Sequence, residues 1–334
     1  MEIKKYSPVV IPTLNRYEHF KRCLESLERC TGAANTDVYV GLDYPPLEKY
    51  VDGWQKIDSY LRKKEIDNSF HKLYVRRRDH NCGTCKNDSN GSLLLQEVRL
   101  VSDTVIITED DNEFSPCFLQ YMNKALIRFY DDNRVHLVCG YNFKMKFPEM
   151  YKNNFYISKK GCAWGIGMWY YKEDKIAPYY DSLYLRNIVR DKNTYNVITK
   201  RNPDVLYSIL SQLKRNRLFG DSIMELYSTI NDTYCIIPRV SMVRNWGEDG
   251  SGEHSPNIDE KRNNYYISQE IMTDTDFDFS DDIFTMEPQY LEREKLYRHP
   301  LSMTSIKKLI KQGIFKFDLF LLRKFNIIIK SKYI

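Results

Sequence analysis

The stretch TVIITEDDNEFSP, Thr104–Pro116, decides how this chain is read. Thr104–Thr108 has Val105, Ile106 and Ile107 at its heart and reads as a buried strand. Three carboxylates follow at once: Glu109, Asp110 and Asp111. Like charges at this spacing repel and raise each other's pKa, so the cluster invites a positive partner. Ser115 and Pro116 supply an N-cap and a first-turn proline. A helix is expected from there, with Phe118, Leu119, Met122, Leu126 and Phe129 along one face.

Upstream, strands and helices alternate. Ser7–Thr13, Val38–Leu42 and Lys72–Val75 read as strands. Phe20, Cys23, Leu24 and Leu27 fall at helical spacing, and Trp54–Arg62 and Leu93–Val101 read as helices. Val135–Cys139 is a further strand. This order predicts an α/β fold with a mostly parallel sheet flanked by helices. Ligands of such sheets bind beyond the carboxyl ends of the strands, which is where Asp43 and the acidic triplet fall.

The second half is less regular. Lys200–Asn216 has a helical middle, Gly220–Ser228 reads as a helix, and Arg244–Asn257 is a glycine-rich loop. Asp274–Asp282 is acidic and reads as exposed. From Ile306 to Ile329, the residues Ile306, Leu309, Ile310, Ile314, Phe317, Leu321, Phe325 and Ile328 follow helical spacing, with lysines and arginines mostly elsewhere. A basic amphipathic helix of this kind lies on an anionic membrane surface, or else packs on the catalytic domain or a partner subunit. The domain expectation is 1–262 catalytic, 263–300 an acidic and polar connector, and 301–334 the basic helix.

At 334 residues the chain can bury a real core. A net charge of +5 is too weak and too mixed to argue for nucleic acid, so none is expected as a partner. The 26 Tyr, 16 Phe and 4 Trp suit a large core and equally suit sugar-stacking surfaces. Of eight Cys, Cys23, Cys139 and Cys162 sit in apolar patterns and read as buried small hydrophobes. Cys82 and Cys85 form a lone CxxC with no second half-site to complete a metal centre. The N-terminus lacks the apolar core of a signal peptide, and no run of about 18 apolar residues is present. The expected location is the cytoplasm.

A hard divalent cation prefers carboxylate oxygens and leaves coordination sites for a substrate's phosphates. The EDD cluster therefore reads either as a diphosphate site or as a solvated acidic turn. Three segments favour the first. SPVVIPTLNRYEHFKRCLESL resembles the opening strand and helix of GT-A nucleotide-sugar glycosyltransferases. VIITEDDNEFSPCFLQYM resembles their metal-binding segment, most closely that of N-acetylglucosaminyltransferase I and its bacterial relatives. FGDSIMELYSTINDTYCIIPRVSMVRNWGEDGSGEH follows the same enzymes' downstream order. The resemblance spans residues 6–258.

The resemblance implies a metal-dependent, inverting transferase moving a sugar from a UDP-sugar to a saccharide acceptor. Asp111 would ligate Mn2+ or Mg2+, Asp110 would contact the sugar nucleotide, and Glu109 would support them. Asp43 would meet uracil, and Arg16 the diphosphate or the base; Pro12 joins the donor set. Relatives often carry a His ahead of the EDD strand. Here Asn87, Asp88 and Ser89 stand there, with Asp88 as the donor-binding candidate. Asp221 would be the catalytic base, with a helix N-cap as its structural alternative and Glu225 and Glu253 as fallbacks. His254 in the mobile-looking loop Gly247–Ser255 would meet the diphosphate or the metal. In GCAWGIGMWYY, Gly161–Tyr171, Trp164 and Trp169 could stack on sugar faces or belong to a core strand with glycine bends. Arg76–Arg78 could attract phosphates or be solvated surface. The setting implied is bacterial surface polysaccharide synthesis on a lipid-linked acceptor, peripheral at the inner membrane face. The rivals are a sugar-nucleotide nucleotidyltransferase, which usually wants a glycine-rich loop that IPTLNRYEHF lacks, and a non-catalytic carbohydrate-binding subunit.

Overall fold

The computed structural model describes residues 5–84, 88–147, 149, 151–252, 260–273, 277, 279, 292–293 and 305–329. Elements run β1 (Val9–Thr13), α1 (Tyr17–Glu28), β2 (Asp37–Leu42), α2 (Val51–Lys64), β3 (Lys72–Arg77), α3 (Asn90–Arg99), β4 (Thr104–Ile107), β5 (Asn112–Phe114), α4 (Phe118–Arg128) and β6 (Val135–Cys139). Next come β7 (Met145–Lys146), β8 (Phe155–Ser158), β9 (Ile166–Trp169), α5 (Tyr170–Ile176), α6 (Ser182–Arg190), α7 (Lys192–Arg201), α8 (Asp204–Arg215) and α9 (Gly220–Asn231). The chain closes with β10 (Tyr234–Pro238), β11 (Val243–Asn245), α10 (Glu260–Ile267), β12 (Glu292–Arg293) and α11 (Ser305–Phe325).

Eight strands form one sheet in the order β3-β2-β1-β4-β9-β6-β10-β8. β1 to β4 are mutually parallel, as the alternation of strand and helix requires. The fold is α/β, with a mostly parallel sheet and flanking helices. β1 and β2 are central and almost wholly buried, hence their unbroken apolar runs. β9 breaks the pattern, running antiparallel to both β4 and β6. Its entry turns on Gly165 at φ 71°, and Gly167 lies under Leu126. Trp169 is fully buried and its indole N–H donates to the Leu126 carbonyl at 2.9 Å. That corrects the sugar-stacking option for Trp169, because a ring with no exposed face cannot meet a ligand.

The helix after the triplet also differs from expectation. α4 begins at Phe118, because Ser115 still donates its N–H to Met242 O at 2.8 Å. The Ser115 hydroxyl accepts from the Cys117 N–H, so it caps a turn ahead of the helix. The helical middle expected within Lys200–Asn216 is α8, parted from the preceding α7 at Asn202-Pro203 because proline cannot continue a helix.

The described chain forms two compact units. The first comprises Met1–Ser158, Cys162–Tyr170 and Ile236–Glu294; the second comprises Lys159–Gly161, Tyr171–Cys235 and Lys295–Ile334. Residues 171–235, read from sequence as part of the 1–262 domain, thus cluster with the C-terminal segment. In the second unit α6 to α9 bury Leu185, Val189, Ile198, Ile209, Ile223 and Leu226 around a common core. Asp181 and Asp191 cap α6 and α7, each accepting a backbone N–H at 2.7 Å.

α11 belongs to this core through Leu319 and Leu322. Its Asp318 is buried and pairs with Lys214 at 2.6 Å. Of the stripe read from the sequence, Ile314, Phe317 and Phe325 are 53, 56 and 60 % exposed, whereas Ile328 packs against this core. Among the described residues no helix is long and apolar enough to cross a membrane. Leu322→Ala is expected to cost about 2–5 kcal/mol, as for other buried leucines, and Phe325→Ala less than about 0.5 kcal/mol. Thermal melts of the two variants check this; equal melts would detach α11 from the core.

Candidate active site

The register gathers the chemistry at one rim. Thr13 lies opposite Leu42, and Val10 opposite Ile107, so Arg16, Asp43 and the triplet leave their parallel strands at the same end. The triplet divides there. Glu109 is exposed, whereas Asp110 and Asp111 are each 6 % exposed. Asp110 Oδ2 accepts from the Thr13 hydroxyl at 2.7 Å, and Oδ1 pairs with Arg16 Nη2. Asp111 Oδ2 pairs with Arg16 Nη1 at 2.8 Å. One guanidinium thus bridges two buried carboxylates.

Burial works against the charge on Arg16, but Asp110 and then Asp111 outweigh it and hold its pKa above the usual value. For Asp111, burial is the largest influence and raises its pKa; Arg16 opposes the rise and Asp110 adds to it. Two carboxylates against one cation leave this pocket short of positive charge.

Asp111 is held from its other side by a ladder too short to show as periodicity. β5 and β11 pair antiparallel, with Asn112 opposite Asn245. Asn245 Nδ2 donates to Asp111 Oδ1 at 2.9 Å and to Asn112 Oδ1 at 3.0 Å. Asn245 Oδ1 accepts from Gly247 N–H at 2.9 Å, and Trp246 N–H donates to the Asp111 carbonyl at 2.9 Å. A Cβ at Gly247 would fall 2.1 Å from Asp111 Oδ2, so only glycine allows this approach. His19 Nε2 lies 3.2 Å from Trp246 O and 3.1 Å from Asp249 Oδ2, and the Arg22 guanidinium stacks 4.0 Å over Trp246. Arg16, His19, Arg22, Lys56, Trp246 and Asp249 help line a cavity of about 650 Å³. Thr13, His19 and Asn245 were not singled out from sequence; a lone hydroxyl, imidazole or amide carries no pattern.

The other sequence-selected residues are dispersed. Asp43 is 5 % exposed, and its carboxylate accepts the N–H groups of Tyr44, Cys82 and Gly83, each at 2.9 Å, and the Asn81 amide at 3.2 Å. It organises the loop that carries Cys82. Pro12 is partly buried in β1 opposite Gly41. Asp88 is exposed in the turn before α3, whose N-cap is Ser89. Trp164 is partly buried, edge-on to Tyr141 and Tyr266. His254, Glu253 and Cys85 lie outside the described residues. Arg76 pairs with Glu97, and Arg77 with Asp58 and Glu65. Arg78 instead bonds to the Asn90 side chain at 3.0 Å, with no carboxylate partner among the described residues.

In the second unit Asp221 is exposed in the first turn of α9. The N-cap of that helix is Phe219, which replaces the N-cap alternative for Asp221; an acid in the first turn still suits the helix dipole. Glu225 bonds Asn202 at 3.0 Å and lies 3.6 Å from Lys160, so it is engaged structurally. In the same unit, burial and then the charge of Asp174 push the Glu173 carboxyl up to about 7. A carboxyl raised on folding disfavours the fold once ionised. The penalty is absent below the unfolded pKa of about 4.5 and complete above about 7. Glu173→Gln should therefore match the wild type in urea melts near pH 4.5. It should be more stable by about 1–3 kcal/mol at pH 8, with the gain appearing between these values.

No protein-family profile matches the chain, and no curated protein does. Solved structures similar to parts of it include S. aureus TarS, with 17 % identity over 43 % of this chain and 23 % of that one, TM-score 0.28. A TarS fragment, 1–349, in complex with UDP gives 18 % identity, 44 and 37 % coverage and TM-score 0.28. The mannosyltransferase PcManGT of Pyrobaculum calidifontis, in complex with GDP-Man and Mn2+, gives 12 % identity, 50 and 45 % coverage and TM-score 0.33. The matched part spans less than half the length of each of these proteins. The site's own residues, rather than these likenesses, carry the reading that follows.

Proposed function

We propose that this chain is a metal-dependent glycosyltransferase of GT-A type that moves a sugar from a UDP-sugar to a saccharide acceptor with inversion. The observation that carries this is the buried Asp110–Asp111 pair at the carboxyl rim, bridged by Arg16 and still short of positive charge. A divalent cation fits that deficit: Asp111 offers hard oxygens, and Gly247 adds no side chain over Oδ2, whose one side-chain partner here is Arg16. Mn2+ or Mg2+ bound there would offset charge growing on the departing diphosphate. Arg16 and Arg78 would add positive charge along the donor, and Asp43 would shape the base pocket through its loop. Trp164 is the candidate sugar-stacking ring.

Asp221 takes the role of base. The acceptor hydroxyl must lose its proton as it attacks the anomeric carbon, and an exposed carboxylate can receive it. One displacement from the opposite face inverts that centre. The check is UDP release from a panel of UDP-sugars with and without Mn2+. Activity should need the cation, and Asp111→Ala and Asp221→Ala should each lose at least about 100-fold. Full activity in Asp111→Ala would overturn the reading.

The acceptor we propose is a lipid-linked saccharide of bacterial surface polysaccharide synthesis, met at the inner membrane face. Support comes from the outward side of α11, where Ile314, Phe317, Phe320 and Phe325 are exposed near Lys316 and Lys324. The one acid in the described part of this helix, Asp318, is buried against Lys214. Phe317→Ser with Phe320→Ser should leave the melt near wild type and reduce binding to vesicles containing anionic lipid by at least about tenfold. Unchanged vesicle binding would remove the membrane from the proposal.

A further inference from the structure

Asp111 has two oxygens, and the structure treats them differently. Oδ2 faces Arg16 and the bare Cα of Gly247. Oδ1 is fixed by Asn245, which is 2 % exposed. The orientation of the Asn245 amide follows from its partners. A carboxylate can only accept and the Gly247 N–H can only donate, so Nδ2 must face Asp111 and Oδ1 must face Gly247. The neighbouring Asn112 is fixed in turn: its Oδ1 accepts from Asn245, and its Nδ2 donates to the Thr108 hydroxyl at 2.9 Å. These bonds form a continuous chain from Thr108 through the buried Asn112 and Asn245 to Asp111 and Gly247.

We propose that Asn245 is a positioning residue for the cation site: it occupies one oxygen of Asp111, presents the other to a divalent metal, and ties that choice to the chain entering the 247–252 loop. The inference rests on the reading of Asp111 as a metal ligand. A ligating carboxylate free to rotate can turn either oxygen, or both, toward a cation. One clamped by a buried amide presents a single oxygen at a fixed angle, which leaves room for diphosphate oxygens. Outer partners of this kind typically change metal affinity by about 10- to 100-fold when removed. Because the same amide holds Gly247 N–H, losing it also frees the glycine whose bare Cα lies against Oδ2.

The test is Mn2+ binding to the full chain without donor, followed by the EPR signal of free Mn2+. Asp111→Asn serves as the reference for the metal reading itself. If that variant binds Mn2+ like wild type, the metal assignment falls and this inference falls with it. If Asp111→Asn loses binding, Asn245→Ala is expected to bind Mn2+ about 10- to 100-fold more weakly while its affinity for UDP measured without metal stays within about twofold. Asn245→Ser, which keeps a polar group too short to reach Asp111, is expected to behave the same way and serves if the alanine variant does not fold. Mn2+ affinity within about twofold of wild type in a folded variant overturns the proposal. So does an equal loss of Mn2+ and UDP affinity, which marks general loosening of the pocket.

Discussion

The structure of the first unit turns on one ion bridge, that of Arg16 across Asp110 and Asp111. Two adjacent carboxylates, each almost sealed from water, are costly to ionise together. Arg16 makes the pair tenable, and its place immediately before α1 makes that helix part of the solution. β1 contributes Thr13 to Asp110, and the β5–β11 pair contributes Asn245 to Asp111. Two separate stretches of chain, around residues 13–16 and at Asn245, thus converge on two side chains. The arrangement sets one positive group against two buried acids.

Much of this was legible beforehand. The α/β class followed from apolar runs of strand length alternating with helical spacing, because central parallel strands must be apolar on both faces. The rim position of Asp43 and the triplet followed from strand direction alone. What escaped notice did so for definite reasons. β5 and β11 have three residues each, too few to show a period. A core strand with glycine bends was one reading of Gly161–Tyr171, but the antiparallel direction of β9 follows a turn at Gly165 whose positive φ no residue pattern reports. Asp43 shows a subtler limit. Its rim position was readable, but its carboxylate is already occupied by donors from a loop far along the chain.

The C-terminal helix shows what a single periodicity leaves out. Spacing picked out Ile314, Phe317 and Phe325, all exposed, and Ile328, which packs beside the core, whereas Leu319 and Leu322 lie within that core. The helix carries apolar residues on two sides, and a single-stripe reading must choose between them. The insertion of α6 to α9 as a second core was likewise hidden, because a sequence read element by element does not reveal which elements share a core.

The bond between Asp111 and Asn245 joins residues 134 positions apart. The intervening chain includes almost all of the second unit's helices before it returns through β10 and β11. Contacts of such long sequence separation are entropically slow to form. During synthesis, β1 to β4 and both acids emerge long before the amide that orders one of them. The acidic rim is therefore an early product of the ribosome and a late product of folding. Its completed geometry needs β11, whereas the parallel strands β1 to β4 beside it do not.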